Sequence, residues 1–397
     1  MKVAGLFAGI GGIENGFAAA GHECGLLCEI WEPARTVLNE RFPNTEVHDD
    51  VVSLGSLPIG TDILAAGFPC QDLSQAGLTK GIVGSKSSLV SHVFRLIDAQ
   101  HVPLVVLENV SFMLQLNGGA AMEALVVAFE ERGYRWAYRV VNTIGFLPQR
   151  RERVFFVASR CDIDPADVLF ADDVVAPETE AALETHAHGF YWTEGTRGLG
   201  WAPDAIPTLK NGSTVGIPSP PAVLLPSGAI VKPDIRDAER LQGFPENWTL
   251  PAETVARASF RWSLVGNAVS VPVAEWLGRR LGEPGSYDVS RDTATTSGAK
   301  WSKAARSRDG KRIAVAIGTL PVYRTRPALH RFLRYEGTPL SARATRGFLK
   351  RAEASSLRFV PGFLDRLRTH LVRVEETRDL CSVPRKRPAL SEAPGTL

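Results

Sequence analysis

Short apolar runs recur through the first 160 residues, each closed by a glycine, an acid or a turn former. Residues 3–8, 25–30, 62–66, 103–110, 136–142 and 154–158 are nearly continuous stretches of this kind. Such runs predict strands buried on both faces of a sheet. Between them the apolar positions fall at helical spacing. A helix starts near Gly12 with Ile13, Phe17 and Ala20 on one face, and others cover 33–41, 89–99 and 120–132. In the third of these, Val90, Val93, Phe94 and Ile97 form the inner face. Alternating strands and helices predict an α/β fold with a Rossmann-like, doubly wound, mostly parallel sheet.

From about Cys161 to Pro233 both periodicities fade, and Pro, Gly, Thr and Ser dominate. This predicts a small loop-rich second domain. Helical character returns at 237–245, and a last amphipathic helix runs from the 262–272 stretch to Leu281. Residues 283–300, rich in Gly, Ser, Thr and Asp, read as a linker. Beyond it a third unit is expected, with strands at 310–317 and 320–323, helices at 338–350 and 361–370, and a disordered end.

Composition changes this picture little. Of 397 residues, 44% are apolar and 22% charged, ordinary for a soluble globular protein. No apolar run approaches the roughly 18 residues of a membrane span, and the N-terminus lacks a signal-peptide layout. Five scattered cysteines make neither a disulfide framework nor a zinc pattern. A reducing, intracellular setting is expected, with a thiol free to act and no metal. Charge is more telling. Residues 283–397 carry 23 Lys and Arg against 11 Asp and Glu, and the remainder 22 against 32. A basic end on a mildly acidic body suggests a polyanion partner, nucleic acid first.

The candidate chemistry sits where the predicted strands end. Phe7-Ala8-Gly9-Ile10-Gly11-Gly12 is a glycine turn between strand and helix, suited to close backbone approach by a ligand. The dinucleotide fingerprint fails at its third glycine, where Glu14 stands. Glu29 lies 20 residues after Gly9 and could accept ribose hydroxyls. Ile30 and Trp31 offer apolar faces to an adenine, and Asp50 could bond its amino group. Cys70 follows the fourth strand in Gly67-Phe68-Pro69-Cys70-Gln71, at a sheet rim where a thiolate can meet substrate. Residues 71–88, rich in Gly, Ser, Lys and Gln, read as a mobile loop. Glu108 closes the most hydrophobic strand, an environment that raises a carboxyl's pKa and suits a proton donor. Arg151 and Arg153, at alternate positions, project to one face of an extended chain. In an open parallel sheet that edge is where ligands bind.

These segments resemble, in order, the motifs of the bacterial DNA cytosine-5 methyltransferases over residues 3 to about 281. Phe7–Gly12 is similar to the first motif and Gly67–Gln71 to the nucleophile motif. Glu108-Asn109-Val110, Gln149-Arg150-Arg151-Glu152-Arg153, Arg240-Leu241-Gln242-Gly243-Phe244-Pro245 and Gly266-Asn267-Ala268-Val269 are similar to later ones. The resemblance implies a catalytic core over 1–160 and 236–282, a target-recognition region over 161–235, a linker at 283–300, a basic C-terminal domain over 301–380 and a disordered tail at 381–397.

It also implies S-adenosylmethionine as cofactor and double-stranded DNA as partner. Cys70 would add to carbon 6 of a flipped-out cytosine while Glu108 protonates ring nitrogen 3. Arg153 would bind the base carbonyl and Arg151 help place base and strand. The cofactor set is Phe7, Gly9, Gly11, Glu29, Ile30, Asp50, Val51, Pro69 and Asn267, and the DNA contacts Gln71, Ser74, Gln149, Thr208 and Leu209. Departures from the pattern are Gly5 and Trp31 at commonly acidic positions, Ile30 in place of an aromatic, and Lys86-Ser87-Ser88 in place of Arg-Gly or Arg-Ser. A monomer in the bacterial cytoplasm, associated with the nucleoid and paired with a restriction or defence component, is expected. The alternatives are a transfer-RNA cytosine methyltransferase on the same core and a non-catalytic DNA-binding relative. A nicotinamide oxidoreductase is disfavoured by the failed fingerprint.

Overall fold

The computed structural model describes residues 1–68, 89–177, 181–210, 220–293 and 301–382, with side chains to residue 377. Pro69, Cys70, Gln71, Ser74 and the expected 71–88 loop lie outside the described residues, as does the expected tail from residue 383 on, while its first two residues, 381–382, end the last helix.

The first half of the chain alternates as expected: β1 (Lys2–Leu6), α1 (Gly12–Ala19), β2 (Glu23–Cys28), α2 (Glu32–Arg41), β3 (Glu46–His48), β4 (Ile63–Ala66), α3 (Leu89–Gln100), β5 (Leu104–Val110), α4 (Ala120–Glu130), β6 (Arg135–Asn142), β7 (Gln149–Arg150) and β8 (Glu152–Ser159). Five strands in the order β3-β2-β1-β4-β5 pair in parallel. β8 then joins β5 antiparallel, and β6 joins β8 antiparallel, so β6 again runs with β5. Helices cover both faces, which is why the central strands can be wholly apolar. Val90, Val93 and Phe94 of α3 and Leu125 and Phe129 of α4 pack with Leu64, Val105 and Leu107 on one face. On the other, Ile13 and Phe17 of α1 pack with Val3, Ile63 and Val106.

Next come α5 (Pro165–Leu169), β9 (His188–Phe190), β10 (Ala202–Pro203), β11 (Ile206–Pro207), β12 (Ala222–Leu224), β13 (Ile230–Lys232) and α6 (Ile235–Leu241). The single last helix expected from the 262–272 stretch is two, α7 (Phe260–Asn267) and α8 (Val271–Gly282). Ala268 breaks the run with extended backbone (φ −63°, ψ 149°), and Pro272 sits in the first turn of α8 where its missing N–H costs nothing. The break turns the intervening residues back toward β1. Gly12 permits this, because a Cβ there would stand 2.4 Å from the Val269 carbonyl oxygen.

The C-terminal residues do not pack as a body of their own. β14 (Asp292–Thr293), inside the expected linker, β15 (Ala304–Arg308) and β16 (Lys311–Val315) extend the large sheet beyond β6, making ten strands. Arg139 of β6, fully buried, locks this edge by donating to the Gly318, Leu169 and Asp172 carbonyls and pairing with Asp173 at 2.9 Å. The strand expected at 320–323 is irregular chain. After α9 (Leu329–Phe332), β17 (Thr338–Pro339) closes a five-stranded sheet in the order β10-β9-β12-β13-β17. α10 (Ala342–Glu353) and α11 (Phe363–Ser382) cover it, Phe348, Phe363 and Leu367 packing on Phe190, Leu224 and Ile230. The C-terminal helices thereby supply much of the apolar cover for this sheet. Among the described residues no helix is long and apolar enough to cross a membrane.

Candidate active site

The turn after β1 folds back sharply. Phe7, Gly9 and Gly11 all have positive φ, at 54°, 57° and 80°. The left-handed region is costly for Phe7 and free for glycine. At Gly11 no side chain would fit, since a Cβ would meet the Phe42 ring at 2.4 Å. The Ala8 amide donates to the Cys28 carbonyl, tying the turn to the end of β2. There Glu29 Oε2 accepts from the Gly9 amide and Oε1 from the Trp31 amide, both at 2.8 Å. Burial pushes the Glu29 carboxyl up, and those amides and Arg35 hold it back. Asp50 Oδ1 caps Val52 at 2.9 Å beyond β3, and Val51 is buried. Ile30 is exposed, while Trp31 packs against Phe260 with ring centroids 5.9 Å apart.

Glu108 ends β5 opposite β8, and its Oε1 lies 3.0 Å from Arg153 Nε. Burial pushes the Glu108 carboxyl above the ordinary range, and the Arg153 and Arg151 guanidiniums restrain the rise. Asn109 Nδ2 donates to the Phe68 carbonyl at 3.0 Å, fastening β5 to the chain just before Pro69 and Cys70. Phe7, Gly9, Glu14, Gly67, Glu108 and Asn267 line one cleft. Residues from β1, α1, β4, β5 and the α7–α8 break thus converge, as expected for the carboxyl edge of the sheet.

Three expected DNA or catalytic contacts are buried and engaged within the protein. Gln149 is fully buried, its Nε2 donating to the Leu241 carbonyl and its Oε1 accepting from the Leu209 amide, so it cannot reach a duplex as placed. Leu209 is buried among Ile206, Val223 and Leu241. Arg151 does not share a face with Arg153. It is 1% exposed and donates to the carbonyls of Leu209 at 3.0 Å, Gly266 at 3.2 Å and Ala268 at 2.8 Å. It braces the Leu209 segment against the Asn267 segment, with its charge still acting on Glu108 and Arg153. Thr208 is half-buried, its hydroxyl donating to the Arg150 carbonyl and its own carbonyl accepting from Tyr191.

Several residues of the site were not legible as such. Gln242 donates to the Val265 carbonyl and accepts from Ser270 at 2.7 Å, holding α6 against the α7–α8 break. Asn109 showed only as a motif letter. Glu14 showed only as the residue that broke the fingerprint. A polar residue inside an apolar helical face is the signal available for it.

The family model described as C-5 cytosine-specific DNA methylase matches residues 1–188 and 187–283. Type II methyltransferase M2.BsuMI of Bacillus subtilis (strain 168) is 46% identical over 367 residues, spanning 89% of this chain and 93% of that protein. Type II methyltransferase M.HhaI of Haemophilus parahaemolyticus is 24% identical over 308 residues, 70% of this chain and 93% of that one. Among solved structures, the Dnmt2 methyltransferase of S. pombe aligns with a TM-score of 0.50 at 17% identity, over 71% of this chain and 98% of that one, a likeness of fold.

Proposed function

Because this chain belongs to the C-5 cytosine-specific DNA methylase family, we propose that it methylates carbon 5 of a flipped-out cytosine in duplex DNA, using S-adenosylmethionine and Cys70. The observation that carries the reading is the Glu108–Arg153 pair opening into the cleft of the glycine turn and Asn267. Such a pair would supply a proton donor and a base-holding guanidinium beside a turn that suits an adenosine-bearing donor.

The residues present suit that cofactor. Among the described residues nothing lies within 4 Å of a Cβ added at Gly9, which suits close approach by a ligand. Glu29 keeps lone pairs for ribose hydroxyls, Asp50 and Val51 border the adenine side, and Asn267 closes the cleft. Bound there, the cofactor supplies an electrophilic methyl group.

The chain's own residues do the rest. Base extrusion costs a few kcal/mol and brings the cytosine to the cleft. The Cys70 thiolate would bond to carbon 6, and Glu108 would give its proton to nitrogen 3, so that no negative charge accumulates on the ring. Carbon 5 then becomes nucleophilic enough to take the methyl group. Loss of the carbon-5 proton and expulsion of Cys70 restore the aromatic ring. Arg153 would hold the base carbonyl while remaining paired with Glu108. Residues 161–235, with β17, α10 and α11, form the proposed recognition unit, and the exposed arginines of the C-terminal segment suit phosphate contacts. We assign the protein to a modification or defence system in the bacterial cytoplasm, acting as a monomer.

Incubation with labelled cofactor and either duplex DNA or transfer RNA tests the substrate. Label in DNA alone, mapped to one sequence by bisulfite conversion, is the expected result. Label in transfer RNA alone would replace the DNA reading. For the cofactor site, Glu29→Ala should weaken S-adenosylmethionine binding by about 1–3 kcal/mol, the size of a lost charged hydrogen bond. Titration calorimetry reads this directly, and an unchanged Kd would remove Glu29 from the ribose site.

A further inference from the structure

The carboxylate of Glu14 lies where the glycine turn meets β1, and no step so far has used it. It is 2% exposed, in the first turn of α1, and one of its oxygens, Oε2, has no hydrogen-bond partner among the described residues. Its own backbone N–H bonds the carboxylate, and among the described residues no cation pairs with it. Burial pushes the carboxyl up to about 7, with the Glu29 charge adding to the rise. Leaving an acid unpaired at such depth is costly unless a partner arrives.

Room for it is made by a second residue. A Cβ on Gly5 would stand 2.1 Å from Glu14 Oε1, so any other residue at position 5 would displace the carboxylate. Gly5 pairs with Ala65 of β4 and Leu27 of β2 in the middle of the parallel sheet, where glycine is otherwise a poor choice. The same cleft that holds Gly9, Gly67 and Glu108 is lined by Glu14.

Resting on the cofactor reading above, we infer that Glu14 is a binding residue for S-adenosylmethionine, its buried carboxylate accepting the α-ammonium group of the methionine moiety. The molecule brings two cations. Its sulfonium must sit near Glu108 and the approach to Cys70, where the methyl group is delivered. The ammonium is separated from the sulfonium by three carbons, and Glu14 reaches the floor of the cleft beside Gly5, on the β1 side. An unpaired carboxylate on that floor matches the remote cation.

The test is direct binding to the full chain, in the wild type and in Glu14→Gln, of three probes. S-adenosylmethionine has both cations, S-adenosylhomocysteine only the ammonium, and 5′-methylthioadenosine neither. In the variant the first two should bind about 10- to 100-fold more weakly, as for a lost charged hydrogen bond. Binding of 5′-methylthioadenosine should stay within about twofold, which also certifies that the variant's adenosine site is folded. Equal weakening of all three would make Glu14 a structural residue and overturn the inference. So would no weakening at all. Loss confined to S-adenosylmethionine would move the carboxylate to the sulfonium and overturn the ammonium assignment. If the wild type bound none of the three, the cofactor reading itself would fall, and this inference with it.

Discussion

Cys70→Ser is expected to lower methyl transfer to duplex DNA by about 10⁴-fold or more, while cofactor and DNA binding persist. The reason is chemical. Addition to carbon 6 of a pyrimidine needs a thiolate, which neutral pH populates for cysteine and not for serine. Removing the one group that makes the covalent bond removes a step that the remaining residues cannot replace, and losses for such nucleophiles are very large. Binding should survive, because the described cleft is built from β1, α1, β5 and the α7–α8 break. The measurement pairs single-turnover methylation with trapping on DNA carrying 5-fluorocytosine, whose fluorine cannot leave as the proton does. Wild-type protein should accumulate a denaturant-resistant complex and the variant none. Turnover in the serine variant would refute the covalent route.

Glu108→Gln should cost about 10²- to 10⁴-fold in turnover, the usual contribution of a positioned general acid. Glutamine preserves the shape and can still accept from Arg153, but it has no proton to give to ring nitrogen 3. The pH profile separates this loss from misfolding. Burial raises the Glu108 carboxyl despite Arg153 at 3.0 Å, so its acid form reaches further toward neutrality than an exposed glutamate's. Because the acid form acts, wild-type kcat/KM should fall as pH rises through that raised pKa. In the glutamine variant that fall should vanish. An unchanged profile would assign the fall to another group.

Much of the site was legible because local chemistry demanded it. The glycine turn needs residues free to take positive φ, and Gly9 and Gly11 do so. An acid after the apolar start of β5 announces itself by composition, and only the fold shows Glu108 meeting Arg153. Arg151 and Arg153 show where such reasoning stops. Alternation along an extended chain puts both on one side, yet β8 begins at Glu152, and Arg151 belongs to the bend before it. One guanidinium reaches the carboxylate and the other turns inward to three carbonyls. Gln149 follows the same logic, polar in the sequence and buried in the fold because Leu209 and Leu241 bring backbone groups that need it.

By itself the sequence determined the alternation of strands and helices, the edge of the sheet where the chemistry lies, and the family of motifs there. Those depend on periodicity, turn residues and short spacings, all local along the chain. Tertiary structure alone decided that β14, β15 and β16 widen the large sheet, that α10 and α11 complete the second one, and that Gly5 makes room for Glu14. Each of these joins residues far apart in the chain or in different elements, where what is buried, and against which partner, follows only from the packing of the whole.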